Sequence, residues 1–147
     1  MTTLVHALIG ASIANKIPNP YLAGSTALLT HFFCDSIPHW DLGTNWKGRP
    51  KYITGAIAIF ETIFSLMLIY LIFGKFIPLF LLFITVFLSL LPDFLAAPYF
   101  ILYPYSPKIF YYIYKFQSII HSRTQSYWGI VSQVVTMVIF LIVGFVL

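Results

Sequence analysis

Charge is scarce in this chain. Only 8% of its 147 residues are Asp, Glu, Lys or Arg, against 60% hydrophobic residues. A soluble domain typically carries about a quarter charged residues. A chain this poor in charge cannot cover a water-facing surface, so it reads as an integral membrane protein. There is one cysteine, Cys34, which excludes an internal disulfide and is expected to pack among helices. No basic stretch precedes the first apolar run, so no signal peptide is expected. A nucleophile elbow, a P-loop, a dinucleotide fingerprint and a haem motif are all missing, which argues against serine-hydrolase, nucleotide and haem chemistry. The net charge of +4 is spread over loops with no basic patch on a soluble frame. Nucleic acid is therefore not an expected partner, and the basic residues read as topology signals.

What the chain has is apolar segments. Leu4 to Ile17 is rich in small residues, with Gly10 and Ala14 spaced for close helix approach, and Pro18-Asn19-Pro20 ends it. Tyr21 to Ile37 follows, then a polar loop from Pro38 to Lys51 that includes Gly43, Asn45 and Gly48. Tyr52 to Phe73 reads as a transmembrane helix with one charge, Glu61. Phe76 to Tyr103 is again apolar. Pro92 predicts a helix ending at Leu91 and a short continuation with Asp93 in its first turn, facing the positive end of the helix dipole. Ile109 to His121, within a tyrosine-rich stretch, reads as a helix in the headgroup plane, and Tyr127 to Leu147 as the last span. The expected fold is one all-α transmembrane domain, residues 1–147, with about five membrane-embedded helices.

In that topology the loops after the second and fourth segments hold Lys47, Arg49, Lys51, Lys108, Lys115 and Arg123, while the opposite turns hold Lys16 and Lys75. The positive-inside rule puts the six-residue side and the N-terminus in the cytoplasm, and the expected home is a prokaryotic cytoplasmic membrane. All four histidines and all four acids then fall in the cytoplasmic half.

The densest part is His31 to Asp41. His31 and Asp35 are four apart and share a helix face, and His39 and Asp41 follow Pro38 in the turn. Imidazole nitrogens and carboxylate oxygens this close suit a divalent metal. A buried carboxylate in a bilayer costs several kcal/mol unless paired or bound to a cation. No Lys or Arg lies inside the spans to pair with Asp35, Glu61 and Asp93. The expected metal ligands are His6, His31, Asp35, His39, Asp93 and His121. Glu61 and Asp41 are the candidate general bases for metal-assisted attack by water. Arg123 and Lys115 are candidates to hold an anionic headgroup. The competing structural roles are a helix-end hydrogen bond for His31 and Asp35, a cap for Asp41 or Asp93, a protonated packing residue for Glu61, and interfacial anchors for His6 and His121.

His6-x-x-x-Gly10, Leu91-Pro92-Asp93 at a helix break, and His121-Ser122 before the final span together resemble the LexA-regulated, membrane-bound, predicted metal-dependent hydrolases. More distantly, His31 and Asp35 look like part of the zinc-dependent phospholipase C pattern. Where that hydrolase family usually carries Pro-Asp-x-Asp-His, this chain reads Pro92-Asp93-Phe94-Leu95-Ala96. Its late motif, His-Arg-x-x-Thr-His-Ser, is matched here only at His121-Ser122, with Phe116, Gln117 and Ile120 departing. The resemblance implies a metal-dependent phosphoester hydrolase, with His39 and Asp41 standing in for the missing acid and histidine.

The expected function is a membrane-embedded hydrolase with one or two divalent ions, zinc foremost, acting on an ester or phosphoester of a lipid-like substrate, with membrane lipids as partners. The alternatives are a divalent-cation or proton transporter, since intramembrane acids and histidines also mark ion paths, and a non-catalytic scaffold with a structural metal. Against transport, the outer half offers no histidine or acidic residue to continue a path.

Overall fold

The structure is a computed structural model that describes residues 1–43 and 46–146. Asn45 in the expected polar loop and Leu147 at the end of the expected last span lie outside the described residues. The chain forms α1 (Thr3–Lys16), α2 (Pro20–Ser36), α3 (Lys51–Phe73), α4 (Leu79–Leu102), α5 (Lys108–Ile120) and α6 (Tyr127–Phe145), with one 3-10 turn at Trp46–Gly48. The fold is all-α, as the composition predicts.

Among the described residues, three helices, α3, α4 and α6, are long and apolar enough to cross a membrane. The expected count of about five is not reached, and α1 shows why. It has 14 residues, roughly 21 Å at 1.5 Å per residue, and every residue from Val5 to Ala14 is buried. A short helix that is apolar all round is a core helix rather than a span. α1 is the axis of the bundle, packed against α2, α3, α4 and α6. The longer helices turn large apolar side chains outward, among them Phe60 (71% exposed) on α3 and Phe80 (75%) on α4. Water would reject such a surface, and lipid accepts it.

Gly10 does what its small-residue spacing predicts. A Cβ there would stand 3.0 Å from both Ser89 Cβ and Val86 Cα of α4, so a larger residue would have to push α1 and α4 apart. Asn19 caps α2, its side chain accepting from the N–H groups of Tyr21 and Leu22, with Pro20 at the first helical position.

The expected break at Pro92 does not occur. α4 runs unbroken from Leu79 to Leu102 with both Pro92 and Pro98 inside it. Proline removes one helical N–H, but within a bundle the neighbouring helices satisfy the freed groups. Asp93 therefore stands mid-helix, not in a first turn, and the helix dipole does not account for it.

Candidate metal centre

Five pieces of chain converge at one end of the bundle. α1 brings His6, α2 brings His31 and Asp35, and the loop after α2 brings His39 and Asp41. Mid-α4 brings Asp93, and the segment after α5 brings His121 and Arg123. The two loops are tied to each other through the backbone. His39 and Arg123 form an isolated parallel bridge, in which His39 N–H donates to the Ser122 carbonyl at 3.0 Å and Thr124 N–H to the His39 carbonyl at 2.8 Å. Ser122 N–H also donates to the Asp35 carbonyl at 2.8 Å. Gly129 at the start of α6 allows this fit, since a Cβ there would meet the Trp40 nitrogen at 2.7 Å.

Among the described residues, two groups of three side chains are disposed to hold a metal ion: His6 with His31 and Asp93, and Asp35 with His39 and His121. In each group the ligand atoms all lie within 4.8 Å of one another. Asp35 stands between the groups. Its Oδ1 is 3.0 Å from His6 Nε2, and its Oδ2 is 3.1 Å from His121 Nδ1 and 3.4 Å from His31 Nε2. The Met1 ammonium also pairs with Asp35 Oδ1. His39 Nε2 and His121 Nε2 are 2.7 Å apart, and the His6 and His31 rings stack with centroids 4.1 Å apart.

Backbone carbonyls set the tautomers. His31 Nδ1 is 2.8 Å from the Ser89 carbonyl, and His39 Nδ1 is 2.7 Å from the Ile37 carbonyl. A carbonyl only accepts, so each Nδ1 carries the proton and donates it. In the neutral ring Nε2 then faces the cluster with its lone pair, the usual arrangement behind a metal-binding imidazole. The donor set also fits a cation on a second count. Among the described residues, Asp35 Oδ2 and His6 Nδ1 are buried without a partner in hydrogen-bond geometry. Asp35 already meets one cation, the Met1 ammonium, through Oδ1, and an ion beside Oδ2 would complete its partners.

The loop residues are electrostatically coupled. Burial, with help from nearby positive groups, lowers His39 to about 4, which keeps its ring neutral. Burial works to lower His121 as well, but the carboxylates of Asp35 and Asp41 beside it outweigh that and raise it. Burial works to raise Asp41. The hydrogen bond from His121 and the Arg123 guanidinium overcome that and hold Asp41 well below the usual carboxylate range. His121 Nε2 lies 3.0 Å from Asp41 Oδ2, and Arg123 Nε donates to the same oxygen at 2.6 Å.

All six expected metal-ligating residues therefore come together. Asp41 and Arg123 join them, and Glu61 stands nearby. A cavity of about 150 Å³ opens beside the cluster between α3 and α4, and Glu61, Asp41, Asp93, His121, Arg49 and Arg123 all line it. Glu61 Oε1 accepts the Thr3 N–H at 2.7 Å. Lys115 is not among the lining residues. It is exposed on α5, two residues before Gln117, which faces inward.

Sequence reasoning missed Gln117. Its side-chain nitrogen donates to Asp93 Oδ1 at 2.8 Å and lies 3.4 Å from His31 Nε2. The available signal was a lone amide four residues, one helical turn, before His121. Ser89 was missed as well. Besides its carbonyl contact to His31, its hydroxyl donates to the His6 carbonyl at 2.8 Å. No family model, curated protein or solved structure matches this chain.

Proposed function

We propose that the protein is a membrane-embedded, metal-dependent hydrolase that cleaves an ester or phosphoester of a lipid-like substrate. The observation that carries this reading is the convergence of all four histidines on Asp35, with His31 and His39 presenting Nε2 through carbonyl-held Nδ1 groups. The short motifs shared with the LexA-regulated membrane hydrolases point the same way.

His6, His31 and Asp93 would hold one ion, and Asp35, His39 and His121 a second, with zinc favoured by imidazole and carboxylate donors. A bound divalent ion supplies Lewis-acid polarisation of the scissile group. The chain's own residues supply the rest. Asp41 is committed to His121 and Arg123, so it orients those two groups. Glu61 sits in the cavity wall and takes the proton from the attacking water as the water oxygen bonds to phosphorus or to the carbonyl carbon. The ester oxygen leaves with its bonding pair and takes that proton back from Glu61. Arg123 holds the anionic group, using guanidinium donors other than the one given to Asp41.

The site would lie in the cytoplasmic leaflet with the N-terminus cytoplasmic. The His39–Arg123 bridge supports this orientation by gathering the loop that carries Lys47 and Arg49 and the segment after α5 on one side.

Elemental analysis of the purified protein tests the reading, followed by a turnover panel of phospholipids and phosphoesters. Bound zinc, lost in His31→Ala and Asp93→Ala together with turnover, is the expected result. Unchanged metal content in both variants overturns the site. Bound metal with no turnover on any substrate overturns the enzyme reading, and ion flux in proteoliposomes then separates a transporter from a scaffold.

A further inference from the structure

The cavity beside the cluster does not end at its polar wall. Along the outer side of α3 runs an apolar groove of about 430 Å³, lined by Ile53, Ala56, Ile57, Phe60 and Phe64 with Tyr52 at its head. Positions 53, 56, 57, 60 and 64 recur at the spacing of a single helix stripe. The groove shares Leu42, Ile57 and Glu61 with the polar cavity, so the two spaces are neighbours across one row of α3. From Ile53 to Phe64 is eleven residues, roughly 16 Å at the helical rise. Half the hydrocarbon core of a bilayer is about 15 Å, so the groove matches one acyl chain of one leaflet.

At the polar end stand two guanidinium groups, Arg49 and Arg123, both lining the cavity. Arg49 Nη1 donates to the Leu42 carbonyl at 2.9 Å and Arg123 Nε to Asp41 at 2.6 Å. These bonds fix both side chains, and each guanidinium carries five donors. Guanidinium groups held on one cavity wall suit the oxygens of a phosphate. The site thus has two guanidinium groups at its head beside the carboxylates of Asp41, Glu61 and Asp93, and an apolar tail track leading away from them.

We propose that this combined site binds an anionic phospholipid, with its phosphate between Arg49 and Arg123 and one acyl chain along the α3 stripe. The proposal deepens the hydrolase reading, on which it rests only for the fate of the headgroup. Arg49 takes the place expected for Lys115.

Photo-crosslinking tests it without requiring turnover. The zinc-loaded protein in phosphatidylcholine nanodiscs is irradiated with phosphatidic acid carrying a mid-chain diazirine, and labelled residues are mapped by mass spectrometry. Labelling concentrated on Ile53, Ala56 and Phe60 is expected. Ala56→Trp fills the groove at an exposed position, and it should remove that labelling while metal content stays unchanged. Arg49→Gln keeps a donor for the Leu42 carbonyl but loses the charge. It should cut labelling by phosphatidic acid roughly tenfold or more, the loss expected for a charge-assisted hydrogen bond, and leave labelling by a neutral diacylglycerol probe unchanged. Labelling spread evenly over the exposed faces of α3, α4 and α6, or insensitive to Ala56→Trp, overturns the groove. Equal labelling by the acidic and neutral probes in the unmodified protein overturns the phosphate site. A protein that labels as expected but hydrolyses nothing keeps the lipid site and loses the hydrolase reading.

Discussion

The two ends of this bundle are built from the same helices and differ in what they bury. At one end lie Asp35, Asp41 and four histidines, all buried or nearly so and in mutual contact. At the other, Phe73 of α3 stacks on Phe145 of α6 with centroids 4.8 Å apart, over Ile69, Ile77 and Leu82. Gly144 there sits close to Ser12, and Asn15 donates to the Gly144 carbonyl at 2.7 Å. Lipid tails are as apolar as leucine, so the second end is held by close packing and a few polar ties rather than by escape from water. Packing alone cannot hold the first end. Buried ionisable groups persist only where each meets another. The α1 helix shows the contrast within one element: His6 enters the cluster, while Ser12, under two turns later, lies against a glycine of α6.

That comparison can be broken or sharpened by substitution. The largest effect is expected from Asp35→Ala, which removes the carboxylate that faces His6, His31, His39 and His121. Metal content by elemental analysis should fall beyond the ~10–100-fold affinity loss typical of outer-shell partners, and turnover with it. Retention of metal at the unmodified level would sink the idea that this end is a cation site.

Phe73→Ala is the counterpart at the apolar end. In a water-soluble core such a truncation costs about 3–5 kcal/mol. Within lipid the transfer part is absent, so a loss of about 3 kcal/mol or less is expected in reversible unfolding from detergent, with metal affinity unchanged. A parallel fall in metal affinity would show that the two ends are not separable.

Gln117→Leu should act in the opposite sense. It deletes the amide that donates to Asp93 and adjoins His31. Metal affinity, measured by chelator competition, should drop ~10–100-fold as for other outer-shell partners, with little change in unfolding. The smallest contrast is between two cations. Arg123→Ala, which loses a charge-assisted bond in the cavity, should raise KM for an anionic substrate roughly tenfold. Exposed Lys115→Ala should shift it by no more than the few-fold effect of a surface charge. Equal shifts for the two would return Lys115 to the headgroup site.

Much of this was legible before the structure. Scarce charge and long apolar runs indicated an all-helical membrane fold, and the helix limits at Pro18-Asn19-Pro20 and around Gly74 follow from chain stiffness and breakers. The i,i+4 pairing of His31 with Asp35 came straight from helical spacing, and the structure places their atoms 3.4 Å apart. Pro92 misled, because a proline's local effect is to end a helix and only its neighbours decide whether the chain continues. The span count misled for a related reason. Apolar length is visible in the chain, but whether a short apolar helix faces lipid or lies encased by others is not.

The sequence by itself determined which residue types were present and which lay near each other along the chain: four histidines and four acids in a chain with only 8% charged residues, and the His31–Asp41 segment that gathers four of them. Only the tertiary structure decided that His6, Asp93 and His121 meet that segment, that Gln117 and the Ser89 carbonyl brace it, and that Arg49 rather than Lys115 joins Arg123 at the cavity. The physical reason is distance along the chain. Helical periodicity carries information over about one turn, whereas the contact between His6 and Asp35 spans 29 residues and that between His39 and His121 spans 82. Contacts of that range depend on how α1 settles against α4 through Gly10, and on how two loops zip together through their backbones.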